Sequence, residues 1–190
     1  MRCDRTGLAR TAFLLSLCLF VAAGCDGGEG DRAGTEGPLG AAREIPLQTV
    51  VQGTLSDYGR FDQSSLQEEA PECTVIEDDQ ELQRLFYLAG LVVPEADVDF
   101  DAHVVLAAMQ GAKNSAGYAI SITRATQYGG EVRVEVEVVE PEESSFTAQI
   151  LTSPYHLVMA GRDAFDPRGE LDFIFVDRNG LVLSREKASV

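Results

Sequence analysis

The chain has 190 residues, a formal net charge of −16 and an apolar fraction of 45 %, with two histidines and no tryptophan. That length and apolar content are enough for one packed domain. So acidic a balance repels phosphate backbones and sets nucleic-acid binding aside. The carboxylates are spread along the chain, the pattern of a solvated, self-repelling surface rather than an acidic tail.

At the N-terminus, Arg2, Arg5 and Arg10 flank an apolar run from Ala12 to Ala23 broken only by Ser16. A positive flank, a short apolar core and a small-residue exit are the parts of a secretory signal peptide. As a helix the run would reach about 18 Å, short of the ~30 Å hydrocarbon core, so it suits export better than spanning. The exit reads Val21-Ala22-Ala23-Gly24-Cys25. It resembles the lipobox of bacterial lipoproteins, with Ala22 where that family usually has leucine. The resemblance implies removal of residues 1–24 and lipidation of Cys25, and two or more acyl chains make such an anchor stable. The expected location is the cell envelope, lipid-anchored and facing the periplasm or the cell exterior. The alternative is ordinary cleavage near Ala23, with Cys25 an incidental thiol. Loss of residues 1–24, which carry three arginines and one aspartate, makes the remainder two units more negative.

Residues 25–43 comprise the lipidated cysteine and a glycine-rich, charged stretch almost free of large apolar side chains. Such a segment buries too little to offset its ordering entropy and is expected to be a flexible tether. Its r.m.s. span would be roughly 23 Å. Residues 44–190 then form a single domain. Cys3 and Cys18 leave with the signal, so Cys73 stands alone and no intrachain disulfide is expected. Cys73 is either a small buried hydrophobe or a reactive thiol.

Within the domain, Leu47–Leu55 is a strand candidate. Asp78 or Asp79 can cap a helix whose apolar face is Leu82, Leu85, Phe86 and Ala89, with Gly90 as its stop. Val104–Met109 is a second strand candidate. Tyr118, Ile120 and Ile122 alternate with Ala119, Ser121 and Thr123, and Tyr128-Gly129-Gly130 supplies a hairpin turn into Glu131–Val138. There Val132, Val134, Val136 and Val138 share one face while Arg133, Glu135 and Glu137 share the other, a half-buried antiparallel strand. Leu171–Val176 is richer in apolar residues and reads as covered on both faces. Asn179-Gly180 then turns into a last strand at Leu181–Leu183. The fold class is mainly β (α+β): a compact antiparallel sandwich or partly open barrel of six or seven strands with one substantial helix. The sheet is expected to be antiparallel because only one strand-to-strand crossover has room for a helix.

Catalytic patterns are missing. His103 and His156 read as structural or surface residues, and no nucleophile elbow, Walker loop or Cys-x-x-Cys occurs. Asp97, Asp99 and Asp101 begin like a calcium loop, but Ala102 and Ala108 occupy the positions that need glycine and glutamate. They read instead as one solvated face entering a strand. The expectation is a non-enzyme without metal or cofactor.

One ordered series of short motifs remains. Val104 opens VVLAAMQGAKNSAGYAISITRATQYGGEVRVEVEVVEP, followed later by TSPYHLVMAG. This resembles the C-terminal domain of the PrcB family, a protease-complex lipoprotein subunit, at Gly111, Lys113, Gly117, Tyr118, Pro141, Thr152, Pro154 and Tyr155. Thr74-Val75-Ile76-Glu77 and the helix after it resemble that family's lead-in. The resemblance implies a non-catalytic accessory or binding protein, partnered by membrane through its anchor and by an exported protease or other envelope protein that it stabilises. The candidate protein-binding loop is Gly111, Lys113, Asn114, Ser115, Gly117 and Tyr118, with glycines at both ends and donors at its tip. The Tyr118 ring is either part of the core with Ile120 and Ile122 or an anchor for a partner. Pro154 and Tyr155 are a secondary candidate, either a packing pair or a clamp. Lys113–Tyr118 also resembles, in its Gly-Tyr, the loop of chagasin-like protease inhibitors, which implies an alternative role in inhibition through residues 111–118.

Overall fold

The computed structural model describes residues 41–59, 71–92, 98–142 and 146–190. The signal peptide, Cys25, most of the tether and Asp97 lie outside the described residues. Nine strands and one α-helix occur among those described: β1 (Arg43–Ile45), β2 (Gln48–Gly53), β3 (Glu72–Ile76), α1 (Asp79–Ala89), β4 (His103–Met109), β5 (Ala119–Tyr128), β6 (Glu131–Val139), β7 (Tyr155–Gly161), β8 (Glu170–Val176) and β9 (Val182–Ser189). They form a β sandwich. One sheet runs β1-β5-β6-β8-β9 and the other β2-β7-β4-β3.

β4 explains how the layers stack. Its apolar run has no alternation because both of its faces are covered. Val104, Leu106 and Ala108 point between the sheets, joining Val132, Val134 and Phe175 of the opposite sheet. Val105, Ala107 and Met109 point outward beneath Leu82, Phe86 and Ala89 of α1. The helix is fixed at both ends as its sequence suggests. Asp78 is the N-cap and accepts from the Glu81 amide at 2.9 Å. Gly90 takes φ +60°, and the Leu91 amide closes on the Phe86 carbonyl at 2.9 Å in a Schellman stop. A Cβ at Gly90 would also collide with the Asp57 carboxylate.

The sandwich departs from the expected pattern in three places. Strand pairs are antiparallel except β6 and β8, which run parallel with Glu131 opposite Asp172. After β6 the chain crosses to the other sheet as β7 and returns as β8 beside β6. The connection between this parallel pair thus runs through a strand of the other sheet rather than a helix, against the expectation of an antiparallel sheet. Second, Asp99 and Asp101 do not lie on a strand: Asp99 caps a turn, its side chain accepting from the Asp101 amide and its carbonyl from the Ala102 and His103 amides. Third, the Leu47–Leu55 run contributes β2, while Pro46 and Leu47 join it to β1 in the other sheet.

That join links the two sheets along one side. Along the other, the edges of β3 and β9 are tied by side chains. The Glu186 carboxylate accepts the Val75 amide and the Thr74 hydroxyl, and the Ser184 hydroxyl donates to the Cys73 carbonyl at 3.0 Å. Burial raises the Glu186 pKa, and those hydrogen bonds oppose the rise. Cys73 is the buried hydrophobe, 4 % exposed, and burial with nearby Glu186 and Glu72 pushes its thiol up to about 12.

Strand directions define two ends. The loops at 53–59, 110–118, 140–142, 146–154 and 177–181 gather at one, here termed the loop end. The start of β1, the Tyr128–Glu131 turn, residues 161–170 and Val190 gather at the other.

Candidate functional site

The loop end is built on β4 and β7, which finish and begin side by side with Met109 opposite Tyr155. From there the 110–118 and 140–154 connections each cross between the sheets, and they are laced together. The Lys113 amide donates to the Thr152 carbonyl at 2.7 Å and the Thr152 amide to the Lys113 carbonyl at 2.9 Å. The Thr152 hydroxyl donates to the Ser115 carbonyl at 2.9 Å, and the Ala116 amide to the Ala148 carbonyl at 2.9 Å. Gly111 and Gly117 take φ of 73° and 99°, conformations in which a Cβ is strained. At Gly117 a Cβ would also stand 3.1 Å from the Pro141 side chain, so glycine lets the two loops close on each other.

The sequence-predicted residues are therefore together, in different roles. Asn114 and Gly117 are exposed; Gly111, Lys113, Ser115 and Tyr118 are half-buried. Lys113 places its Nζ 5.6 Å from the centre of the Tyr118 ring, within cation–π range, so the aromatic is neither core nor bare anchor. The loop is held by backbone pairing, where an adaptable polar tip was expected. Pro154 and Tyr155 are buried. Tyr155 covers β2, its hydroxyl 2.7 Å from where a Gly53 Cβ would stand. Both side chains are enclosed by the fold. Cys25 lies outside the described residues.

Two residues under the loops were not flagged by any motif. His156 faces the space between the sheets, 5 % exposed. Its Nδ1 accepts the Ile122 amide at 2.9 Å, beside the β5 bulge between Ile122 and Arg124, and its Nε2 lies 3.1 Å from the Thr49 hydroxyl. Accepting at Nδ1 requires the neutral ring with its proton on Nε2, and burial lowers its pKa accordingly. Gln110, 4 % exposed, donates from its backbone to the Pro154 carbonyl and from Nε2 to the Val139 carbonyl at 3.4 Å. Its Oε1 has no partner, the one such buried side-chain atom among the described residues. An unmet buried acceptor costs about 1–3 kcal/mol. Gln110→Met, close in volume, is thus expected to leave the unfolding midpoint unchanged or higher in thermal denaturation; a fall of several degrees would show that the amide is needed for folding.

The third observation is apolar. Phe146, Ile150 and Leu151, on the segment that laces to 113–116, are exposed to 108 %, 51 % and 40 %. They lie in a connection outside any helix or strand, so no regular element accounts for their place.

Residues 104–160, spanning β4 to β7 and both laced loops, match the family model described as PrcB C-terminal. This segment is a PrcB C-terminal-like domain, as its motif series suggested. No curated protein and no solved structure matches the chain.

Proposed function

We propose that the chain is a lipid-anchored, non-catalytic accessory protein of the cell envelope that associates with an exported protease and stabilises it. The PrcB C-terminal match over residues 104–160 carries this reading, since that family is an accessory rather than a catalytic subunit. The lipobox-like Val21–Cys25 and the glycine-rich residues after it support attachment through lipid with reach above the headgroups.

Full-length protein extracted from membranes in mild detergent and captured by a C-terminal tag is expected to bring down a stoichiometric exported protease, whose level falls when this chain is deleted. Recovery of none counts against the reading. Cys25→Ala is expected to release the protein or leave its signal uncleaved, with the domain's circular dichroism and unfolding midpoint unchanged. Normal cleavage with full membrane retention would overturn the anchor. Gly117-Tyr118 supports a second outcome: inhibition of a cysteine protease by the full chain at micromolar concentration would favour the inhibitor role.

A further inference from the structure

We propose that the loop end is a docking surface for one kind of partner, a protein presenting an apolar ridge flanked by lysine or arginine side chains. The proposal rests on the accessory reading above and gives it a surface. It comes from where the exposed apolar residues are. Among the described residues, those with large apolar side chains exposed to solvent sit at the tips and loops of this end, or on and just after the last turn of α1. That turn belongs to the same end, since the Ala89 carbonyl accepts the Asp57 amide at 2.6 Å. Leu55, Phe146, Ile150 and Leu181 are exposed to 65 %, 108 %, 51 % and 66 %. They come from three separate connections of the chain. Isolated surface leucines are ordinary on any protein, but a bias of the whole set to one end is not required for folding and marks an interaction face.

Charge selects the partner. The rim carries the carboxylates of Glu72, Glu137, Glu140 and Asp177 against the cations Lys113 and Arg178, and Arg178 is already paired with Glu137. An acidic rim around an apolar centre complements a basic rim. It repels anionic lipid headgroups. It also opposes a second copy of this chain, because a two-fold contact would set one acidic rim against another. The opposite end, where β1 begins, lacks such exposed apolar groups among the described residues.

The test uses the full chain in the cell that makes it. The photo-crosslinking amino acid p-benzoylphenylalanine is placed at Ile150 or Leu181, and in separate strains at Asp163 or Arg168 of the opposite end. Light is expected to give, from Ile150 and Leu181 only, an adduct with one exported protein. Mass spectrometry should place the link in an apolar peptide flanked by lysine or arginine, and Glu140→Lys should reduce the adduct yield several-fold. An adduct with a non-protease would keep this surface and remove the protease reading. A protease linked only through Asp163 or Arg168 would keep the protease reading and overturn this surface. Adducts with lipid or with a second copy, no adduct at Ile150 and Leu181, or a yield indifferent to Glu140→Lys would each overturn it.

Discussion

Replacing Arg162 by methionine is expected to lower the unfolding free energy by about 3–5 kcal/mol, the largest effect of a single side chain outside the apolar core. Arg162 lies just after β7, opposite the loop end. Its Nε donates to the carbonyls of Phe100 at 2.9 Å and His103 at 3.2 Å, its Nη1 to Ser189 at 2.7 Å and its Nη2 to Glu77 at 3.1 Å. One guanidinium thus ties together the entry to β4, the end of β9 and the junction of β3 with α1. A hydrogen bond from a charged donor contributes about 1.5–3 kcal/mol, and four sharing one group do not add fully. Lysine is expected to restore only a fraction, because one ammonium cannot span four carbonyls set around a planar fork. Urea denaturation of both variants measures this. A loss below about 1 kcal/mol for Arg162→Met would mean that the carbonyls find solvent instead.

The second large effect is acid sensitivity through His156. The folded ring is neutral and its pKa lies below the ordinary 6.5. As pH falls through 6.5 the unfolded chain takes up a proton that the folded chain refuses, so stability declines with acidification until the folded pKa is reached. Above 6.5 the contribution is complete. Glu186 acts in the opposite sense at lower pH: with its pKa raised above 4.5, its carboxyl protonates first in the folded state, which favours folding as pH falls through that range. The expected result is a decline between pH 7.5 and 5.5 that His156→Gln removes, with some loss of stability at neutral pH where the Ile122 amide must find a new acceptor. His156→Leu, which offers none, should cost about 2 kcal/mol at neutral pH and progressively less as the pH falls. An unchanged slope in both variants would mean that other groups govern the decline.

Legibility in the sequence followed the number of covered faces. β6 was read correctly because only one of its faces is covered, so Val132, Val134 and Val136 alternate with exposed or half-exposed charged residues. β7 was not marked, since Tyr155, Leu157 and Met159 turn toward α1 while Val158 and Ala160 turn toward the opposite sheet, leaving no alternation. β9 was seen only at its start: Ser184, Arg185 and Glu186 look like solvent-facing polar residues, and Glu186 is drawn inward by an edge more than 100 positions away. The same distance dependence hid the parallel β6–β8 pair. In the candidate site, Gly111 and Gly117 were legible because their backbone demand is local. Lys113 over Tyr118, the inward His156, the unpartnered Gln110 oxygen and the exposed Phe146–Leu151 segment arise from how separate connections meet, which no spacing encodes.

The tie between β3 and β9 has a consequence for self-association. An outer strand with free amides and carbonyls is a template on which another chain can add. Here the Val75 amide and the Cys73 carbonyl of β3 are already engaged, by Glu186 and Ser184 of β9. The outer margin of β3 is therefore partly occupied by side chains of β9. Of the other margins, β1 is only three residues long, and β2 is interrupted by a bulge between Thr49 and Val51 and short enough to discourage regular addition. A chain concentrated on a membrane surface, as an anchored one would be, meets its own copies constantly. This architecture gives those encounters little to polymerise on.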